Sequence, residues 1–112
     1  MSARDAFGAL ADPTRRALLL SVAERPRPVN ELAAGFAMSR PAVSKHLRVL
    51  REAGLVEVRP GRGDARQRVV EARLDALAEL DAFLAQLRSF WQSRLERLGD
   101  VLDAGEPPAD GP

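Results

Sequence analysis

The sequence predicts a mainly α fold with one small β-hairpin, in the order α-α-α-α-β-β-α. Three observations carry this. Apolar residues recur at helical spacing along most of the chain. A capped, basic, amphipathic segment from Ser39 stops at Gly54. Two short β-prone runs flank the turn Pro60-Gly61-Arg62-Gly63-Asp64. With 112 residues the chain makes one domain, expected over residues 1–103. A tail at 104–112, rich in Pro and Gly, cannot build a core and is expected to be disordered.

Ala3 to Leu10 forms a short first helix, with Ala6, Phe7 and Leu10 on one side. Asp12-Pro13-Thr14 starts a second helix, with Asp12 as N-cap and Pro13 in the first helical position, where a missing N–H does no harm. Leu18, Leu19 and Val22 make its buried side, and Pro26 and Pro28 mark a tight connection after it. Asn30 is placed to cap a brief third helix, Glu31 to Phe36, and Gly35-Phe36-Ala37-Met38 turns the chain into the next.

The fourth helix is the most informative. Ser39 can accept a hydrogen bond from a first-turn N–H, Pro41 is tolerated in that turn, and Gly54 supplies a left-handed end. Winding at about 100° per residue gathers Val43, Leu47 and Leu50 on one face. Arg40, Pro41, Ser44, Lys45, Arg48 and Arg51 share the other. Small hydrogen-bonding residues among cations suit a helix lying in a DNA groove. A short helix, a turn of a few residues and a capped basic helix make a helix-turn-helix. His46, the only histidine, falls on the apolar arc beside Leu50 and Ala53 and reads first as a packed residue that orients the helix, with a base-reading or pH-sensing role as the second reading.

Leu55 to Arg59 and Arg66 to Ala72 are the hairpin arms, a wing that carries Arg59, Arg62, Arg66 and Arg68 against Glu57 and Asp64. The last helix, from Asp75 to about Asp103, repeats Leu77, Leu84, Trp91 and Leu98 every seven residues, with Leu80, Leu87 and Val101 beside them. Such a helix spans roughly 40 Å. That is more than so small a domain can cover, and an uncovered stripe would be an unusually large apolar patch. A second copy of the chain is the economical cover, ahead of the alternative in which the helix folds back onto its own domain as core. The interface expected from the two terminal helices is Phe7, Leu84, Leu87, Trp91, Leu95 and Leu98.

A formal net charge of +1 means that any nucleic-acid affinity must come from a local patch. The absence of cysteine excludes disulfides, thiolate metal sites and thiol redox chemistry. No signal-peptide core or membrane-spanning stretch is evident, so a cytoplasmic protein without a membrane partner is expected. One histidine, no cysteine, no phosphate-cradling glycine loop and no paired catalytic groups leave an enzyme little to stand on.

With these residues in place, the chain resembles the ArsR-type winged helix-turn-helix transcriptional repressors from about Phe7 to Leu102. The pieces that carry the resemblance are Leu10-Ala11-Asp12-Pro13-Thr14-Arg15-Arg16, Glu31-Leu32-Ala33, the Ser39 to Leu47 run, and Leu50-Arg51-Glu52-Ala53-Gly54-Leu55-Val56. The Phe90-Trp91 pair resembles the metal-independent branch of that family. The resemblance implies a homodimer that binds an imperfect palindromic operator in double-stranded DNA and represses, often at its own promoter. Metal sensing does not carry over. The helix before the turn, where arsenic and cadmium sensors place cysteines, offers none, and no histidine lies between Asp75 and Asp103. No cofactor is expected, and an unknown small-molecule inducer is left open. The return arm departs from the family: Val70-Glu71-Ala72-Arg73-Leu74 stands where Tyr-Arg-Leu and then Asp-Pro are usual, which blurs the start of the last helix.

In this reading Arg40, Pro41, Ser44 and Lys45 approach base edges in the major groove. Ser39, Arg48 and Arg51 hold phosphates, and Arg62 with Arg66 reaches phosphate or minor groove from the wing. The competing class is a winged helix that serves as a protein-interaction module without sequence-specific DNA binding. That class needs an apolar exposed face on the fourth helix, where this sequence has cations.

Overall fold

A computed structural model of the protein describes residues 3–105. The elements are α1 (Ala3–Ala9), α2 (Pro13–Glu24), β1 (Arg27–Pro28), α3 (Val29–Gly35), α4 (Arg40–Glu52), β2 (Val56–Pro60), β3 (Arg68–Ala72) and α5 (Leu74–Gly105). The expected helices and hairpin all form, and α5 takes in Ala104 and Gly105 from the stretch assigned to the tail. The rest of that stretch, 106–112, lies outside the described residues. By its contacts the chain divides into two units, Met1–Leu80 and Asp81–Pro112.

The first unit holds the core. Leu18, Leu19 and Val22 of α2 pack with Leu32 of α3, Val43, Leu47 and Leu50 of α4, Val56 and Val70 of the sheet, and Ala76 and Leu80 of α5. The Asp12 cap forms as expected, its carboxylate accepting from the Arg15 N–H at 3.0 Å. Arg15 and Arg16 do further work that the sequence did not disclose. Arg15 Nε donates to the Ala9 carbonyl at 2.6 Å and Arg16 Nη1 to that of Leu10 at 2.9 Å, satisfying carbonyls that the end of α1 leaves free.

Two boundaries differ from the expectation around the prolines. Arg27 and Pro28 form a short strand, pairing antiparallel with Val70 and Val69, so the hairpin becomes a three-stranded sheet in the order β1-β3-β2. Pro28 is admissible because β1 is an edge strand. The pairing commits the chain up to Pro28, so α3 starts at Val29, and Pro28 rather than Asn30 holds the cap position, with no side-chain cap. Glu31 compensates from the first turn, where a carboxylate is favoured. It accepts from Arg25 at 2.9 Å and Arg27 at 2.8 Å, and the Arg27 hydrogen bond is the main reason its carboxyl sits below the usual range.

The ends of α3 and α4 use one device twice. Past α4, the Leu55 N–H donates to the Leu50 carbonyl at 3.0 Å and the Gly54 N–H to that of Arg51 at 2.9 Å, with Gly54 at φ 78°. This is a Schellman turn. Leu55 is thereby committed to the helix end, which is why β2 begins at Val56 and not at Leu55. Past α3, the Met38 N–H donates to Ala33 and that of Ala37 to Ala34, with Ala37 left-handed at φ 51°. The nearest glycine, Gly35, still belongs to the helix.

β3 starts at Arg68, not Arg66, because the turn is longer than Pro60–Asp64. Asp64 accepts from the Arg66 N–H with its side chain at 3.0 Å and from the Gln67 N–H with its carbonyl at 3.0 Å, while Gly61 donates to Gln67 at 2.8 Å. A Cβ on Gly61 would meet the Asp64 carbonyl at 2.9 Å, so the turn needs a glycine there. At the other end α5 begins at Leu74, one residue before Asp75. The Arg73 N–H still bonds the Leu55 carbonyl at 2.9 Å, and its guanidinium grips Asp75 at 2.9 Å, which holds that carboxyl below its ordinary range.

In the second unit, Phe83, Leu84, Leu87, Phe90, Trp91, Leu95, Leu98, Val101 and Leu102 are all exposed, Trp91 by 58%. The guanidinium of Arg94 lies 5.1 Å from the centre of the Phe90 ring, close enough for a cation–π contact.

Candidate nucleic-acid interface

α4 is held at both ends and along one face. Ser39 Oγ accepts from the Ala42 N–H at 3.2 Å, Arg40 and Pro41 occupy the first turn, and the Schellman turn closes the far end. Val43, Leu47 and Leu50 are buried, so the opposite face is committed to solvent, and Arg40, Pro41, Ser44, Lys45, Arg48 and Arg51 are all exposed. His46 is half-buried, with Nδ1 4.0 Å from the Asp12 carboxylate, and leans on the start of α2. Asp12 titrates below the ordinary aspartate range, chiefly because of the Arg15 N–H, with smaller contributions from the charges of Arg15 and His46.

The exposed face of α4 borders two depressions. One, of about 420 Å³, is lined by Pro41, Ser44, Lys45 and Arg48. The other, of about 300 Å³, is a groove between α4 and the sheet. Arg40, Ser44, Leu47, Arg48 and Arg51 line it from the helix, Val58 and Arg68 from the strands, and Val29 from the start of α3. The six exposed α4 positions thus share one helix face bordered by two depressions, and the second of these adds Arg68, which is not among the residues the sequence predicts to meet DNA. Strand alternation was the available signal, since Arg68 shares the parity of buried Val70. Arg62 and Arg66 sit apart from the groove, exposed in the β2–β3 turn.

Of the residues expected at a dimer interface, Leu84, Leu87, Trp91, Leu95 and Leu98 are exposed on α5. Phe7 is half-buried against the core of the first unit. Among the described residues no group of three His, Asp or Glu side chains is placed to hold a metal ion. No described helix is long and apolar enough to cross a membrane.

A helix-turn-helix followed at once by a two-stranded wing defines a winged helix-turn-helix. Residues 12–58 match the model of the bacterial regulatory protein arsR family. The chain is 40% identical over 99 residues to the HTH-type transcriptional regulator Rv2034 of Mycobacterium tuberculosis, covering 88% of this chain and 87% of that one. It is 45% identical over 53 residues to a transcriptional repressor SmtB homolog of Synechocystis, covering 47% of this chain and 40% of that protein. Among solved structures, a possible transcriptional regulator for arsenical resistance superposes with a TM-score of 0.66 at 43% identity, covering 86% of this chain and 94% of that one. The chain belongs to the ArsR family of winged helix-turn-helix transcription regulators. These relatives are transcriptional regulators, not enzymes.

Proposed function

We infer that the protein is a homodimeric repressor that grips an imperfect palindromic operator with the exposed face of α4 and the β2–β3 wing. One electrostatic contrast carries this reading. Arg25, Arg27, Arg59 and Arg73 each have a carboxylate within 3.1 Å. Arg40, Lys45, Arg48, Arg51, Arg62 and Arg66 have none among the described residues, and neither do Arg15, Arg16, Arg68, Arg88, Arg94 and Arg97; what sets α4 apart is that four such cations share one exposed helix face. Cations left uncompensated together on the exposed face of α4 match a line of phosphates. Arg40, Pro41, Ser44 and Lys45 read base edges, while Arg48, Arg51 and the Ser39 end of the helix hold the backbone. Arg62 and Arg66 reach it from the wing.

The second copy is called for by α5. Leu84, Leu87, Trp91, Leu95 and Leu98 leave a stripe in water that a two-fold partner covers, and Phe7 of α1 joins the interface in this reading. Repression by occupancy is the simplest outcome, and the Synechocystis relative is itself a repressor by name. The chain has no cysteine, so metal sensing through thiolates is not part of this reading. The input is an unidentified small-molecule inducer or the protein's own concentration. The protein acts in the cytoplasm.

Footprinting of the segment upstream of the gene, with affinities on that duplex and on random DNA, tests the proposal. Binding is dimeric and weakens steeply as salt rises. Arg40→Ala costs about 1–3 kcal/mol on the operator and less on random DNA, whereas Arg62→Ala weakens both alike. A stable monomer at micromolar concentration, or affinity indifferent to salt, sinks the reading.

A further inference from the structure

The β2–β3 hairpin has two faces with different chemistry. Its register pairs Val58 with Val70 and Pro60 with Arg68. Alternation then puts Val56, Val58, Arg68 and Val70 on one face, and Glu57, Arg59 and Glu71 on the other. The outer face is self-neutralised, Arg59 Nε lying 3.1 Å from the Glu71 carboxylate. The inner face carries the buried valines and, one step beyond them, a single charged residue, Arg68.

A guanidinium on the core side of a sheet needs an outlet, and here that outlet is the groove of about 300 Å³ against α4. Arg40, Arg48 and Arg51 line the facing wall. Four arginines thus border one small groove, and none has a carboxylate partner among the described residues. Like charges gathered on one groove repel, and although water and salt screen these exposed side chains, an anion that enters the groove is bound favourably. A guanidinium holds a phosphate with two parallel N–H donors, so the opposed walls suit a phosphodiester passing between them.

We propose that the groove between α4 and the sheet is a backbone-phosphate site, in which Arg68 clamps a DNA phosphate from the sheet side against Arg48 and Arg51. This rests on the DNA-binding reading above. It separates Arg68 from the wing tip: Arg62 and Arg66 sit in the turn, whereas Arg68 is anchored on the central strand next to the recognition helix. Because it meets the backbone, Arg68 fixes the seating of α4 in the groove and carries no sequence information of its own.

The test is affinity as a function of salt for the full-length protein on its footprinted operator and on random duplex. Arg68→Ala weakens binding to both by a similar factor, roughly tenfold, and lowers the slope of log affinity against log salt by about one per bound protomer. Arg68→Lys keeps the charge and restores the slope. Arg59→Ala, on the outer face of the same hairpin, leaves the slope unchanged. An unaltered slope in Arg68→Ala, with wild-type binding that is itself salt-dependent, overturns the clamp and leaves DNA binding standing. A loss confined to the operator overturns it too, by making Arg68 a base reader. A wild-type protein that binds neither duplex removes the DNA-binding reading and this inference together.

Discussion

Along α4, Val43, Leu47 and Leu50 are buried and the polar face is open; along α5 beyond Leu80, the leucines and Trp91 are the open residues. Both segments are amphipathic, and periodicity alone treats them alike. The difference lies in what surrounds them. α4 is enclosed by α2, α3 and the sheet, so its apolar stripe is spent inside the chain and its cations are what it offers outward. The distal part of α5 offers its apolar stripe. One helix offers charge outward and the other offers hydrocarbon, which in the proposed function answer to DNA and to a second copy of the chain.

Substitutions on the two helices should therefore fail in different ways. Leu50→Ala acts on a fully buried side chain at the centre of α4's apolar face, and costs about 2–5 kcal/mol of folding stability. Urea unfolding measures this, and a loss below 1 kcal/mol would mean that α4 is not the centre of the core. Trp91→Ala should leave the folding of the separate chain almost untouched, since the side chain is exposed, yet weaken self-association by about 2 kcal/mol or more. Operator affinity falls with it, although Trp91 touches no DNA in this reading. Molar mass, thermal midpoint and affinity on one sample decide the matter. A variant that is less stable, still dimeric and still binding would make Trp91 ordinary core and erase the contrast between the two helices.

Two smaller effects sharpen the α4 side. Ala37 holds a left-handed conformation at φ 51° in the turn that feeds α4. Such a conformation disfavours any side chain, and glycine's greater freedom in the unfolded chain offsets part of the relief. Ala37→Gly should raise stability by about 0.5 kcal/mol, seen as a higher thermal midpoint. A lower midpoint would show that the turn is not strained.

The smallest effect is one of pH. Asp12 caps α2, lies beside His46 of α4, and has its carboxyl lowered mainly by the Arg15 N–H. A carboxyl whose folded pKa is depressed stabilises the fold above the unfolded value, about 3.9, and loses that contribution as pH falls through the lower, folded one. The midpoint difference between wild type and Asp12→Asn should thus be constant near neutrality and shrink only below about pH 4. A difference that already changes between pH 6 and 7 would show that the Asp12 carboxyl is not its source.

Much of this was legible in the residue order. The caps at Asp12 and Ser39, the buried triplets of α2 and α4, and the glycine stop at Gly54 follow from local rules: a short polar side chain beside free N–H groups, a 3.6-residue period, and a backbone angle that glycine adopts freely. The third strand was not legible. Arg27 and Pro28 are extended in any connection, and they become a strand only because β3, some forty positions away, presents Val69 and Val70 to them. The Asn30 cap failed for the same reason, since the pairing of Pro28 settles where α3 can start.

For the site, the sequence by itself determined which residues could face outward on α4, because burying Val43, Leu47 and Leu50 leaves Arg40, Ser44, Lys45, Arg48 and Arg51 no other side. It also determined that α5 carries an apolar stripe. Only the tertiary structure decided that Arg68, itself exposed, borders the same groove as Arg40, Arg48 and Arg51, and that burial along α5 ends at Leu80. The reason is one of range. Caps and helical periods are set within a few residues of backbone, whereas a groove wall and a buried face depend on which distant segment arrives to complete them.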